Sequence, residues 1–129
     1  MLKRLMLVVL FALLSLPCLA AEAREYIGEF YITAYCSCYE CCGAYALNRP
    51  GGVVIGSGQV ELFEGKHVAS SLPNGMKVYI AGIGSYEVQD TPAKHIVRHY
   101  DNRIIDIYFS DHAAAQKFGV KKAKVYREG

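Results

Sequence analysis

Along NRIIDIYF, residues 102–109, side chains alternate with a two-residue period: Ile105, Ile107 and Phe109 share one face, and Ile104, Asp106 and Tyr108 the other. That period predicts a strand. EFYITAY (29–35) and KVYIAGI (77–83) are rich in β-branched and aromatic residues and predict two more. YEVQD (86–90) and the cleanly alternating KAKVYRE (122–128) follow the same rule. Turn chemistry separates these runs, at NRPGG (48–52), LPNG (72–75) and GIGS (82–85). One short helix is predicted in SDHAAAQKFG (110–119), where Ser110 or Asp111 caps the first turn and Gly119 supplies the stop. PAKHIVRHYD (92–101) sustains neither period and fits a short helix or an irregular loop. The whole pattern, short strands with one short helix, predicts an all-β fold closed into a small barrel.

The first 20 residues stand apart. Lys3 and Arg4 precede an apolar run from Leu5 to Leu14, then Pro17 and small residues at Ala20, Ala21 and Ala23. This is the order of a secretory signal peptide, with cleavage expected after Ala20 or Ala23. The run is short for a membrane span and no basic stop-transfer flank follows, so no stable span is expected. Residues 21–129 then form a single exported domain, in a periplasmic, envelope or extracellular setting. Loss of Lys3 and Arg4 leaves 12 Lys and Arg against 12 Asp and Glu, a net charge of zero. With no basic stripe to grip phosphates, nucleic acid is not an expected partner. The 109 residues left after Ala20 suit one domain with a modest core, expected as a monomer without a cofactor.

Asp106 is the most informative residue. A carboxylate inside so apolar a strand is half-buried or faces a cavity, and lost hydration there favours the protonated form that a general acid needs. The alternative is a structural carboxylate satisfied by backbone N–H groups or by Arg103. Asp90, at a strand end in EVQDTP, is a second candidate carboxylate or a turn residue, and Asp101 in YDNR reads as a turn residue. His95 and His99 have i, i+4 spacing, but no third ligand completes a zinc pattern. Ser57 lies between glycines without the strand–turn–helix context of a nucleophile elbow. Ten tyrosines fit either a sugar-stacking groove or ordinary strand positions with hydroxyls at the rim.

AYCSCYECCG (34–43) carries Cys36, Cys38, Cys41 and Cys42. Signal cleavage removes Cys18 and leaves these four, which an oxidising compartment allows to pair in three connectivities. Cys36 or Cys38 reaches across to Cys41 or Cys42 more easily than Cys41 bridges its neighbour. Zinc bound by the four thiolates is a second possibility, though all would come from one short loop. A redox role lacks the expected βαβ context.

Three segments together resemble the 3D domain, named for three aspartates and found in exported bacterial cell-wall proteins. They are ITAYCSCYECCG, LPNGMKVYIAGIGSYEVQDT and NRIIDIYFSDHAAAQKFGVKKAKVY. The domain is related to the catalytic barrel of membrane-bound lytic transglycosylase A. The resemblance spans about Glu29 to Tyr126 and implies a six-stranded double-psi β-barrel acting on peptidoglycan glycan strands. It implies that Asp106 is the catalytic acid, supported by Asp90. The implied activity is lytic transglycosylation between MurNAc and GlcNAc in wall turnover, without a cofactor; a non-catalytic glycan-binding module is the alternative. Ser70 and Ser71 stand where the family's first aspartate is expected, DTPAK replaces a D-T-G-G turn, and IGSGQ replaces T-A-S-G-T.

Overall fold

The computed structural model describes residues 23–48 and 53–129; the expected signal peptide lies outside the described residues. Six strands close into a barrel: β1 (Arg24–Tyr35), β2 (His67–Ser70), β3 (Lys77–Ile80), β4 (Gly84–Asp90), β5 (Ile104–Tyr108) and β6 (Lys121–Glu128). Their order around the barrel is β1-β5-β2-β4-β3-β6. The β1–β5 and β2–β4 pairs are parallel and the other four antiparallel. Among the described residues, no helix is long and apolar enough to cross a membrane.

Alternation sorts the wall into two faces. Phe30, Ile32, Val68, Ile105, Ile107 and Val125 fill the interior with Val78, Ile80 and Val88. Each such side chain contributes about 1.5–3 kcal/mol by leaving water. A second apolar cluster covers part of the outer face, where Tyr35, Ala69 and Tyr108 meet Val54 and Leu62 from the segment before β2. Strand β2 is therefore buried along its whole length, and its HVAS sequence shows no two-residue alternation. Buried His67 closes the preceding turn by accepting the Phe63 N–H at Nδ1, 2.9 Å away.

The expectation of one helix is corrected to three short ones among the described residues. α1 (Tyr39–Cys42) runs into a 3-10 turn (Gly43–Asn48), α2 spans Lys94–His99, and α3 spans His112–Phe118. The cysteine-rich turn is too short to show helical periodicity. In the ambiguous 92–101 segment, α2 buries no residue, so it carries no apolar stripe to read. α3 matches its predicted caps: the Asp111 carboxylate accepts from Ala114 N at 2.9 Å, and Gly119 follows at φ 70°.

Candidate functional site

The two predicted aspartates meet on the outer wall. Parallel pairing sets Thr33 of β1 beside Asp106 of β5. Asp106 lies opposite Ala69 of β2, and Ala69 opposite Asp90 of β4, giving one row across four strands. The last step needs a β-bulge. Strict alternation would send Asp90 inward with Val88, but the register slips between Val68 and Ala69 and brings Asp90 onto the outer row.

Asp106 is half-buried, and Thr33 Oγ1 donates to its Oδ1 at 2.9 Å. Loss of hydration pushes its carboxyl up to about 7; the Thr33 hydrogen bond opposes this and the nearby charge of Asp90 adds to it. Asp90 is held at both oxygens. Tyr35 Oη donates to Oδ2 at 2.7 Å, and the Ser57 backbone N–H to Oδ1 at 3.0 Å. Burial first, and then Asp90, raise the Tyr35 phenol far above its ordinary range, so it remains a donor. The result is an asymmetric pair: one carboxylate anchored by two donors, and one poised to hold a proton near neutral pH.

Residues 56–58 form the brace behind Asp90. Gly58 N donates to Gln89 O at 3.1 Å, and Ser57 Oγ lies 2.8 Å from Thr91 Oγ1. Gly56 approaches the strand so closely that a Cβ there would strike the Gln89 carbonyl and crowd the Leu62 side chain. That is why the IGSGQ segment carries glycine at this position.

The other candidates fall elsewhere. Ser70 is buried and donates to Ile104 O at 2.9 Å, a structural bond inside the wall. The Arg103 guanidinium lies over Gly28, so Asp106 takes Thr33 as its partner instead. Asp101 is a turn residue with φ 54°, as predicted. Among the described residues, His95 and His99 join no cluster of metal-ligating groups; the His99 ring packs edge-on to Tyr100 at 4.7 Å. Tyr35 and Tyr108 flank the aspartate row, ring centroids 5.7 Å apart, while Tyr26, Tyr79 and Tyr126 gather along β1, β3 and β6. A concavity lined by Lys66, Lys77, Ser85, Tyr86 and Glu87 includes neither aspartate.

The cysteines lie just past the end of β1. Cys36, Cys38 and Cys41 are free thiols, and Cys42 Sγ donates to Cys36 O at 3.2 Å. His112, at the start of α3, reaches the first three with Nδ1. Sequence reasoning missed Thr33, Tyr35 and His112, and it weighed Ser57 only as a nucleophile, not as a backbone donor to Asp90. Thr33 and Tyr35 did carry a signal, since they occupy the same alternating face of β1. Ser57 and His112 act across chain distances of 33 and more than 70 residues, which no local pattern reports. No protein-family model and no curated protein matches the chain.

Proposed function

We propose that the chain is a double-psi barrel of the 3D type and that it is an exported lytic transglycosylase acting on peptidoglycan glycan strands. The observation that carries this reading is Asp106: half-buried on the wall, with its carboxyl at about 7 and its Oδ1 held by Thr33. A group with that affinity can give up and take back a proton near neutral pH.

In the proposed reaction, Asp106 donates its proton to the glycosidic oxygen between MurNAc and GlcNAc as the bond to C1 breaks. The carboxylate left behind accepts the proton of the muramic C6 hydroxyl as that oxygen attacks C1. The product is a 1,6-anhydro ring, and the acid is regenerated. Because the nucleophile belongs to the substrate, no second carboxylate is needed to activate water. Intramolecular attack also gains the advantage of proximity. Asp90 acts as a positioning residue, since both its oxygens already have donors and its charge favours the protonated form of Asp106.

Incubating purified peptidoglycan with the full chain tests this directly. Mass spectrometry is expected to find 1,6-anhydro muropeptides, and Asp106→Asn to abolish them while its circular dichroism stays native. Product formation by Asp106→Asn would overturn the assignment. A non-catalytic glycan-binding module is favoured by one observation, the buried serine, Ser70, at the expected place of a third acid. Glycan pull-down without anhydro product would select that reading.

A further inference from the structure

We infer that Cys36, Cys38, Cys41 and His112 form a structural zinc site, with Cys42 outside it. The four donor atoms lie within 4.8 Å of one another. Tetrahedral zinc, with Zn–S of about 2.3 Å and Zn–N of about 2.0–2.1 Å, sets neighbouring sulfurs about 3.8 Å apart and sulfur from nitrogen about 3.5 Å. The Cys36 and Cys41 sulfurs are 3.7 Å apart. His112 Nδ1 lies 3.5 Å from Cys36 Sγ, 3.2 Å from Cys38 Sγ and 3.6 Å from Cys41 Sγ. Ligand atoms are thus spaced as around a single small cation.

The far side of the imidazole supplies an independent argument. Glu40 Oε2 lies 2.9 Å from His112 Nε2. A proton on Nε2 satisfies that contact and leaves the Nδ1 lone pair aimed at the three sulfurs. This carboxylate–histidine arrangement is how metal-binding imidazoles are oriented. Three thiolates and one imidazole suit zinc among the common divalent ions, and four protein donors leave no open position for a substrate. The ion would join the turn after β1 to the start of α3. Those are the extensions of the two strands that carry Thr33 and Asp106, and Phe109 N already donates to Tyr35 O there at 2.8 Å. Zinc would clamp that strand pair at one end, whatever the wall row does chemically.

The test uses the full chain, purified without added metal. About one equivalent of zinc per chain is expected by elemental analysis. Cys36, Cys38 and Cys41 should resist alkylation until a chelator is added. Cobalt(II) in place of zinc should show tetrahedral visible bands with thiolate charge transfer. Glu40→Ala, which removes no ligand, should weaken zinc affinity by about 10–100-fold. His112→Ala should weaken it further, and Cys42→Ser should leave it unchanged. A metal-free, natively folded chain with any of Cys36, Cys38 or Cys41 in a disulfide would overturn the assignment. So would wild-type zinc affinity in both Glu40→Ala and His112→Ala.

Discussion

Folding takes Asp106 from its ordinary carboxylate value of 3.8 to about 7, chiefly because its charge loses water on the barrel wall. The direction of this shift determines a pH dependence. At low pH the group is neutral in both the native and the unfolded chain, and its full native contribution is present. As pH rises from about 4 to about 7, the unfolded chain ionises while the native chain keeps its proton, so stability is lost across that window. Above about 7 the loss is complete. Asparagine does not titrate, so Asp106→Asn is expected to match wild type near pH 4 and to exceed it at pH 8. A shift of this size corresponds to about 4 kcal/mol at most, and partial solvation of the site reduces the expected gain to about 1–2 kcal/mol. Urea melts of both proteins at several pH values would read it; a difference that stayed constant with pH would refute the shift. The same proton should set the alkaline limit of any cleavage activity. The half-burial of Asp106 was legible in RIIDIYF, because an acid amid alternating apolar residues has few ways to be satisfied. Its pairing with Thr33 was not: the alternating face of β1 showed Thr33 beside Tyr35, but nothing local joined it to a residue 73 positions away.

At the scale of elements, the strands whose side chains alternate announced themselves, even β5, which is buried on both faces around Asp106, while the four-residue β2 did not. β6 is half solvated and reads as a strand, whereas β2 is buried throughout and its HVAS stretch had no alternation to betray it. The Asp90 face was equally hidden, since strict periodicity in YEVQD points it inward and only the bulge redirects it. What then holds Asp90 in place is the 56–58 brace, and Gly56 is its tightest point. Gly56→Ala forces a methyl against the Gln89 carbonyl and the Leu62 side chain, so the brace must lift off the end of β4. The expected cost is about 1–3 kcal/mol, typical of overpacking a close contact. Lifting also withdraws the Ser57 N–H from Asp90. If the proposed activity holds, cleavage should fall more in kcat than in KM, because positioning near Asp106 is disturbed rather than glycan contact. Thermal melts and kinetics on one preparation would check both effects. An unchanged melting temperature would mean that the loop is not seated on the strand.

For the whole molecule, barrel closure could be anticipated from many short strands, but the strand order could not. β1 pairs with β5 and β6, the two strands furthest from it in the chain, so no local signal reports its neighbours. Closure depends on β6, which lies between β1 and β3 and runs antiparallel to both. From that position it sets Val125, fully buried, among the interior side chains. Removing residues 121–129 would strip two edges at once and open the interior beside Phe30, Ile32 and Ile80 to water. Unpaired edges next to exposed apolar side chains promote aggregation rather than a smaller stable sheet. The shortened chain should therefore show no cooperative thermal transition and should bind a hydrophobic dye. The contrasting site is α2, which buries no side chain. A protease site introduced within Lys94–His99 and then cut should leave two fragments that remain associated with native circular dichroism, because the strands on either side are held by pairing to other strands. If the chain without β6 melted cooperatively near the wild-type temperature, the barrel would not depend on closure. If cutting α2 unfolded the protein, that helix would have to be counted as part of the barrel's support.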